Sequence, residues 1–98
     1  MTAVNAGPCW YVYLLECADG TYYCGVTTDI ARRLTQHNGI LPGGAKYTRT
    51  RRPVKVIASV ACEDKSAACS LEYAVKAAAR GKKLDVLLAH DRKLIFDR

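Results

Sequence analysis

Three polar side chains occupy positions where a helix would turn them toward the protein core. Arg33 and His37 are four residues apart in a segment with helical periodicity, so both lie on the inward side of that helix. Glu72 lies at the edge of the apolar stripe of a later helix, where a carboxylate costs free energy unless a partner or a metal ion compensates it. Residues of these types bind phosphate, transfer protons and hold metal ions.

Each of these residues also has an ordinary structural explanation. Glu72 and Lys76 have the i,i+4 spacing of a helical ion pair, which adds little to stability. His37 would end its helix with a satisfied hydrogen bond, and the stem of Arg33 would cover apolar surface. Taken singly, the three side chains favour a structural role, and only their combination with other residues carries a functional hypothesis.

The middle of the sequence is strongly basic. Between Arg32 and Cys62 there are seven basic residues and no carboxylate, and such a segment attracts phosphate. An aromatic residue lies among them, a combination that stacks on a nucleic-acid base and holds the neighbouring phosphates. The pattern predicts a nucleic-acid contact, with a solvated surface loop as the alternative. The residues expected to make this contact are Lys46, Tyr47, Arg49, Arg51 and Arg52.

Length and composition predict one small globular domain. The chain has 98 residues, with 15 Lys and Arg against 9 Asp and Glu and a net charge of +6. No apolar run approaches the roughly 18 residues that a membrane span needs. The five cysteines form no C-x-x-C pair, which favours reduced, mostly buried thiols in a cytoplasmic protein over disulfides or a zinc site. We expect a flexible tail over residues 1–9 and a single domain over residues 10–98.

Hydrophobic patterning predicts the elements that would position these side chains. Aromatic and β-branched runs at residues 10–17 and 21–26 flank an Asp-Gly turn, which indicates a β-hairpin. Residues 54–62 form a third strand-like run. A helix is expected at residues 30–38, with N-cap residue types before it and Gly39 after it.

The second half of the chain is expected to add further helices. Ser66 can cap a helix that runs to Arg80 and stops at Gly81, and a shorter helix is expected at residues 85–90. The glycine-rich, basic segment 39–53 is expected to be a loop. The order β-β-α-β-α, with a possible last helix, predicts an α+β fold in which helices cover a three-stranded antiparallel sheet.

The tyrosine residues complete an ordered set of motifs. Two tripeptides lie one hairpin apart, and the polar helix residues follow them: Tyr11-Val12-Tyr13, Tyr23-Cys24-Gly25, Arg33, His37 and Glu72. This set resembles the GIY-YIG nuclease superfamily, and most closely its small standalone bacterial members, the UPF0213 group. The resemblance covers residues 10–83. It implies an α/β sandwich with a three-stranded antiparallel sheet, in agreement with the predicted order of elements.

The resemblance also implies roles for these residues. Nucleases of the superfamily cut phosphodiester bonds with one divalent metal ion, Mg²⁺ or Mn²⁺, and a lone carboxylate suits a Mg²⁺ that keeps most of its waters. By this resemblance Glu72 holds the ion and Arg33 binds the scissile phosphate. Tyr13 closes the first motif, Tyr23 opens the second, and His37 matches a polar position one helical turn after the arginine.

The identity of the base is left open by the sequence. A phenol with a pKa near 10 is only about 0.1% phenolate at pH 7. Nearby positive charge, from Arg33, the basic segment and a metal ion, would lower that pKa. Alternatively, a tyrosine relays its proton to His37. Neither the choice between these routes nor the choice between Tyr13 and Tyr23 follows from the residues.

Three positions depart from the pattern of the superfamily. Tyr11 stands in place of the first glycine, and Cys24 stands in place of isoleucine. Leu84 occupies a position where many active members have an asparagine that supports the site.

The resulting prediction is a Mg²⁺-dependent endonuclease that acts on DNA rather than RNA, in repair or recombination. It would be cytoplasmic and bind no membrane. Because 98 residues leave no room for an appended domain, a protein partner is a possible source of specificity. The alternatives are a nucleic-acid-binding module that does not cleave, and an adaptor that acts through a protein partner.

Overall fold

A three-stranded antiparallel sheet forms the centre of the computed structural model, which describes residues 9–96 and, from residue 91 onward, only the helical backbone. The strands are β1 (Trp10–Glu16), β2 (Tyr22–Thr27) and β3 (Lys55–Cys62). Their order is β2-β1-β3, so β1 is paired on both sides. The predicted tail over residues 1–9 lies, apart from Cys9, outside the described residues.

Within residues 9–96, four α-helices accompany the sheet. They are α1 (Ile30–His37), α2 (Lys46–Arg49), α3 (Lys65–Ala77) and α4 (Lys83–Phe96), with a 3₁₀ turn at Arg80–Lys82. The predicted α+β architecture is therefore confirmed. In the part of the chain that the structure describes, no helix is both long and apolar enough to cross a membrane.

The side chains on both faces of β1 are apolar because other elements cover both faces of the strand. Val12 and Leu14 point toward α3 and α4, where they pack with Leu71, Val75 and Leu87. On the opposite face, the alternate β1 side chains form a second cluster with residues of α1 and the start of β3, namely Tyr13, Leu15, Cys17, Leu34 and Val54. The two clusters fix α1 and α3 on opposite sides of the sheet.

The cysteine side chains are mostly internal. Cys17, Cys24 and Cys62 are buried free thiols. Burial, and then the charge of Glu72, raises the pKa of the Cys24 thiol to about 12, so this thiol stays protonated at neutral pH.

The ends of α3 differ from the prediction. Its N-cap is Asp64 rather than Ser66, because the Asp64 carboxylate accepts a hydrogen bond from the Ala67 amide at 2.8 Å. The helix ends at Ala77, earlier than the predicted Arg80. The ammonium group of Lys83 donates hydrogen bonds to three carbonyls at the end of the helix, those of Val75, Lys76 and Ala78. These bonds satisfy carbonyls that have no partner within the helix, and the helix ends there. The last helix is longer than predicted, running over Lys83–Phe96 rather than residues 85–90.

The basic segment 39–53 was predicted to be a loop. This prediction is wrong for part of the segment, which contains α2. A four-residue helix is marginal by itself, and its sequence carries no side-chain N-cap. Tertiary contact stabilises it: Thr48 on its inner side is fully buried and hydrogen-bonded to His37. Since periodicity reports only local pattern, it could not detect a helix that depends on such a contact.

Candidate functional site

The ring of Tyr13 lies across a glycine on the neighbouring strand. Tyr13 and Gly25 are paired across β1 and β2, and a Cβ atom at Gly25 would collide with the tyrosine hydroxyl. Tyr13 is consequently 2% exposed, with its hydroxyl held under α1. The last residue of the first tripeptide and the last residue of the second are thus fitted to each other.

The Tyr13 hydroxyl belongs to a buried network of three side chains, which we call the Tyr13–His37–Thr48 network. The hydroxyl lies 2.9 Å from His37 Nε2, and His37 Nδ1 lies 2.9 Å from Thr48 Oγ1. The Thr48 hydroxyl donates its proton to the Ala45 carbonyl at 3.0 Å, so it accepts from His37 Nδ1–H. This fixes the imidazole tautomer, and Nε2 is left to accept the proton of Tyr13.

Both titratable members of this network are neutral at pH 7. Burial, with the charges of Arg33 and Arg52, lowers the pKa of His37 from 6.5 to about 4. Burial raises the pKa of Tyr13 to about 12, and the neighbouring Arg33 offsets only part of that shift. Arg33 by itself therefore does not bring the Tyr13 pKa below its ordinary value, and a hydroxyl aimed at a neutral imidazole fits the relay.

Arg33 is half-buried beside this network. Its Nη1 donates to the Gly43 carbonyl at 2.8 Å and to Gln36 Oε1 at 2.9 Å. Arg33 and His37 therefore share one side of α1, as helical spacing predicted. Gln36 thus helps to hold the Arg33 guanidinium from the next turn of α1.

Two further aromatic rings continue from His37 toward the surface. The ring of Tyr23 meets the His37 ring edge-on at 5.1 Å between centroids, and the ring of Tyr47 follows at 5.7 Å from that of Tyr23. The guanidinium carbon of Arg51 lies 4.0 Å from the centroid of the Tyr47 ring, and its Nε lies 3.1 Å from a carboxylate oxygen of Asp19. Tyr47 is thus held between Tyr23 and Arg51.

The basic residues of the segment are divided between structure and surface. Lys46 and Arg49 are exposed on α2. Arg51 packs on Tyr47, whereas Arg52 donates from Nε to the His37 carbonyl at 2.7 Å, which ties the end of α1 to the residues before β3. Lys46 and Arg49 thus present their charge to solvent, whereas Arg51 and Arg52 also contact other parts of the protein.

Glu72 is not a member of this network, since its described ion pair is with Lys76 of the same helix. It is on α3, on the opposite face of the sheet from α1, and its Oε2 pairs with Lys76 Nζ at 3.1 Å. Burial disfavours the charged form of Lys76, but the carboxylate of Glu72 outweighs that effect and the pKa of Lys76 is raised. The link to the other side is Lys76 itself, whose Nζ lies 5.9 Å from the centroid of the Tyr23 ring. The i,i+4 pair described as the ordinary explanation of Glu72 is therefore present.

Thr48 is the polar residue that sequence reasoning missed. It is fully buried and connects α2 to the imidazole of His37. A threonine inside a basic segment carries no periodic signal, so only the tertiary structure identifies its contact.

Most of the chain matches one domain family, since residues 9–85 fit the model of the GIY-YIG catalytic domain. The chain belongs to the GIY-YIG family. This is a nuclease-type family, and the resemblance carried by the two tyrosine tripeptides is thereby confirmed.

Similar proteins carry the name of the UPF0213 group. A UPF0213 protein of Desulfotalea psychrophila is 46% identical over 85 residues, which cover 87% of this chain and 76% of that protein. The solution NMR structure of a protein from E. faecalis is 40% identical, with a TM-score of 0.60, and the match covers 90% of this chain and 92% of the other. A second solution structure, of a UPF0213 protein from Bacillus halodurans, is 43% identical with a TM-score of 0.51 over 83% and 84% of the two chains. These matches confirm the fold expected from the GIY-YIG resemblance.

Two of the three departures from the GIY-YIG pattern, Cys24 and Leu84, have structural explanations. Cys24 is buried against α3, where the smaller side chain packs beside Leu71. Leu84 packs against the same cluster, so it contributes to the core. Its neighbour Lys83 holds the last carbonyls of α3, the helix that carries Glu72.

GIY-YIG nucleases generally depend on a divalent metal ion, and the donor set here fits one kind of ion. Among the described residues, no three His, Cys, Asp or Glu side chains come together as a metal site. A closed zinc-type site therefore does not fit the described side chains. The Glu72 side chain is 22% exposed, and a single accessible carboxylate fits Mg²⁺ or Mn²⁺, which keep waters and take phosphate oxygens as further ligands.

Proposed function

We propose that this protein is a metal-dependent endonuclease that hydrolyses phosphodiester bonds in DNA, with Tyr13 as the base and His37 as the final proton acceptor. The observation that carries the proposal is the Tyr13–His37–Thr48 network, in which a buried hydroxyl is aimed at a neutral imidazole nitrogen. Among the described contacts the Tyr13 hydroxyl is hydrogen-bonded to His37, whereas Tyr23 meets His37 ring to ring, which favours Tyr13 as the base.

The proton transfer is concerted in this mechanism. The Tyr13 oxygen takes a proton from the attacking water while its own proton passes to His37 Nε2, so no buried phenolate forms. Arg33 binds the scissile phosphate and stabilises the charge that develops on it. Because Arg33 is one cause of the low pKa of His37, a bound phosphate offsets that effect and strengthens the acceptor when substrate is present.

Glu72 is the proposed metal-holding residue, and its partner Lys76 must then release it. A bound Mg²⁺ or Mn²⁺ would polarise the phosphodiester and offset charge in the transition state. The basic residues around the network, with Lys46 and Arg49 exposed, support nucleic acid as the substrate.

The biological setting follows from the family resemblance. We place the protein in DNA repair or recombination in the cytoplasm, as a single unit of residues 10–98 whose target is chosen with a protein partner. Free buried thiols fit a reducing compartment.

The second candidate is a nucleic-acid-binding module that does not cleave. The Glu72–Lys76 ion pair favours it, because a lysine already neutralises the one carboxylate expected to hold the metal ion. This reading keeps the basic surface and assigns Glu72 to the stability of α3.

A cleavage assay separates the two candidates. Single-stranded, duplex, flapped and four-way DNA and an RNA hairpin are incubated with the protein in Mg²⁺, Mn²⁺ or EDTA, beside Glu72→Gln and Tyr13→Phe. The nuclease predicts metal-dependent cleavage of DNA that both variants lose while they still bind. Binding without cleavage by any form would establish the binding module instead.

A further inference from the structure

Two large apolar side chains project from the segment between α1 and α2, which we call the 39–44 loop. Ile40 is 75% exposed and Leu41 is 39% exposed. They are adjacent in sequence and lie inside the basic region, where the chain from Arg32 to Cys62 has no carboxylate. Such a pair is costly to leave in water unless it has a binding partner.

The backbone of this loop is fixed at its first turn. The amides of Ile40 and Leu41 both donate to the Thr35 carbonyl, at 2.9 and 3.2 Å. The backbone at both residues is therefore held by hydrogen bonds, with the Ile40 side chain largely exposed and Leu41 partly exposed beside it.

The far end of the loop is fixed as well. Gly43 accepts a hydrogen bond from Arg33 Nη1, and Gly44 lies so close to α1 that a Cβ there would collide with the carbonyl of Gln36. A preordered loop loses little conformational entropy when it binds.

Each end of the loop carries an arginine. Arg33 reaches Gly43, and the guanidinium of Arg52 lies over Gly39, where a Cβ atom would be 2.7 Å from Nη1. Ile40 and Leu41 thus lie between two fixed positive charges. Charge at both ends of an apolar pair is complementary to a nucleic-acid strand, in which phosphates flank each base.

We propose that Ile40 and Leu41 form a wedge that inserts between stacked bases of duplex DNA, with Arg33 and Arg52 near the flanking phosphates. Proteins use apolar side chains in this way to unstack a base step and kink a duplex. The inference rests on the proposed function and deepens it, because a wedge beside Arg33 would distort DNA next to the proposed cleavage position. The same arginine links the loop to the Tyr13–His37–Thr48 network, which favours DNA over a lipid surface as the occupant.

The test uses duplex DNA with 2-aminopurine, a base whose fluorescence rises when it is unstacked. The variant is the double substitution Ile40→Ser with Leu41→Ser. The matched control is Tyr73→Ser, which removes an apolar side chain that is 77% exposed on α3. Circular dichroism and thermal unfolding verify that both variants fold like the wild type.

The wedge predicts that wild type and control raise the fluorescence on binding, and that the double variant does not. Loss of two buried apolar contacts weakens duplex binding about tenfold or more. The slope of log affinity against log salt stays unchanged, because the phosphate contacts remain. If the wild type binds duplex DNA in a salt-dependent way without a fluorescence change, and the double variant binds with equal affinity, the wedge is overturned while the proposed function is not.

Two other outcomes are informative. Failure of the wild type to bind any nucleic acid would overturn the proposed function together with the wedge. Binding of anionic lipid vesicles that the double variant loses, with duplex binding unaffected, would assign the loop to a lipid surface and overturn the wedge.

Discussion

Replacing Thr48 by valine tests the buried network most sharply. Valine keeps the volume and branching of threonine but removes the oxygen that accepts from His37 Nδ1–H at 2.9 Å. His37 is fully buried, so its N–H loses its partner without access to water. Leaving a buried donor unsatisfied costs about 1–3 kcal/mol of folding free energy.

Urea unfolding followed by circular dichroism measures this loss. With a urea m-value of about 1–2 kcal/mol/M, the midpoint of Thr48→Val falls by about 1 M. Thr48→Ser is the matched control, because it retains the hydroxyl and loses only a methyl group, at a cost of less than about 1.5 kcal/mol. Equal midpoints for the two variants would refute the hydrogen bond as the reason for burying Thr48.

The same variant also changes the imidazole. Nitrogen-15 NMR of wild type is expected to show one His37 tautomer, with the proton on Nδ1, whereas Thr48→Val is expected to populate the other. Cleavage then falls with the population of the reactive tautomer, and Thr48→Ser retains it. A wild-type His37 with its proton on Nε2 would refute the assigned direction of the Tyr13 hydrogen bond.

Three further predictions concern stability. Folding lowers the pKa of His37 from 6.5 to about 4, so the unfolded state binds the proton first as pH falls. The free energy of unfolding should therefore drop by up to about 3 kcal/mol between pH 6.5 and pH 4. Urea unfolding of His37→Gln should lack this pH-dependent loss. Gly25→Ala forces a methyl group into the tyrosine ring opposite it and should cost about 1–3 kcal/mol, whereas Gly81→Ala, with nothing within 4 Å, should not; equal melting temperatures would contradict the fit. Lys83→Met removes three hydrogen bonds to the end of α3 and should lower the melting temperature, while Lys82→Met, exposed on the 3₁₀ turn, serves as its control.

Local patterns in the sequence were sufficient for the elements that depend on local signals. The hairpin followed from an Asp-Gly turn between two apolar runs, and α1 followed from periodicity and its Asp29 cap. The inward side of α1, with Arg33 and His37, followed from the helical angle alone. The fold class needed only the order of these elements.

The other features of the fold and of the candidate site depend on contacts between residues that are distant in the sequence. The helix α2 exists because Thr48 is buried against His37, eleven positions earlier in the chain. The early end of α3 depends on the reach of the Lys83 side chain, and the position of Glu72 and Lys76 near the Tyr23 ring depends on how α3 packs on the sheet. None of these has a periodic signature in the sequence.

The pH dependence of cleavage tests the central claim most directly. Single-turnover cleavage is measured from pH 5 to pH 9 with Mg²⁺ for the wild type and Tyr13→Phe. Burial is the largest cause of the low pKa of His37 and remains when substrate binds, so His37 stays a neutral proton acceptor; the wild-type rate should be nearly constant over this range, and Tyr13→Phe should be inactive throughout. A wild-type rate that rises about tenfold per pH unit would mean that a free phenolate or hydroxide is the base, and would contradict the relay from Tyr13 to His37.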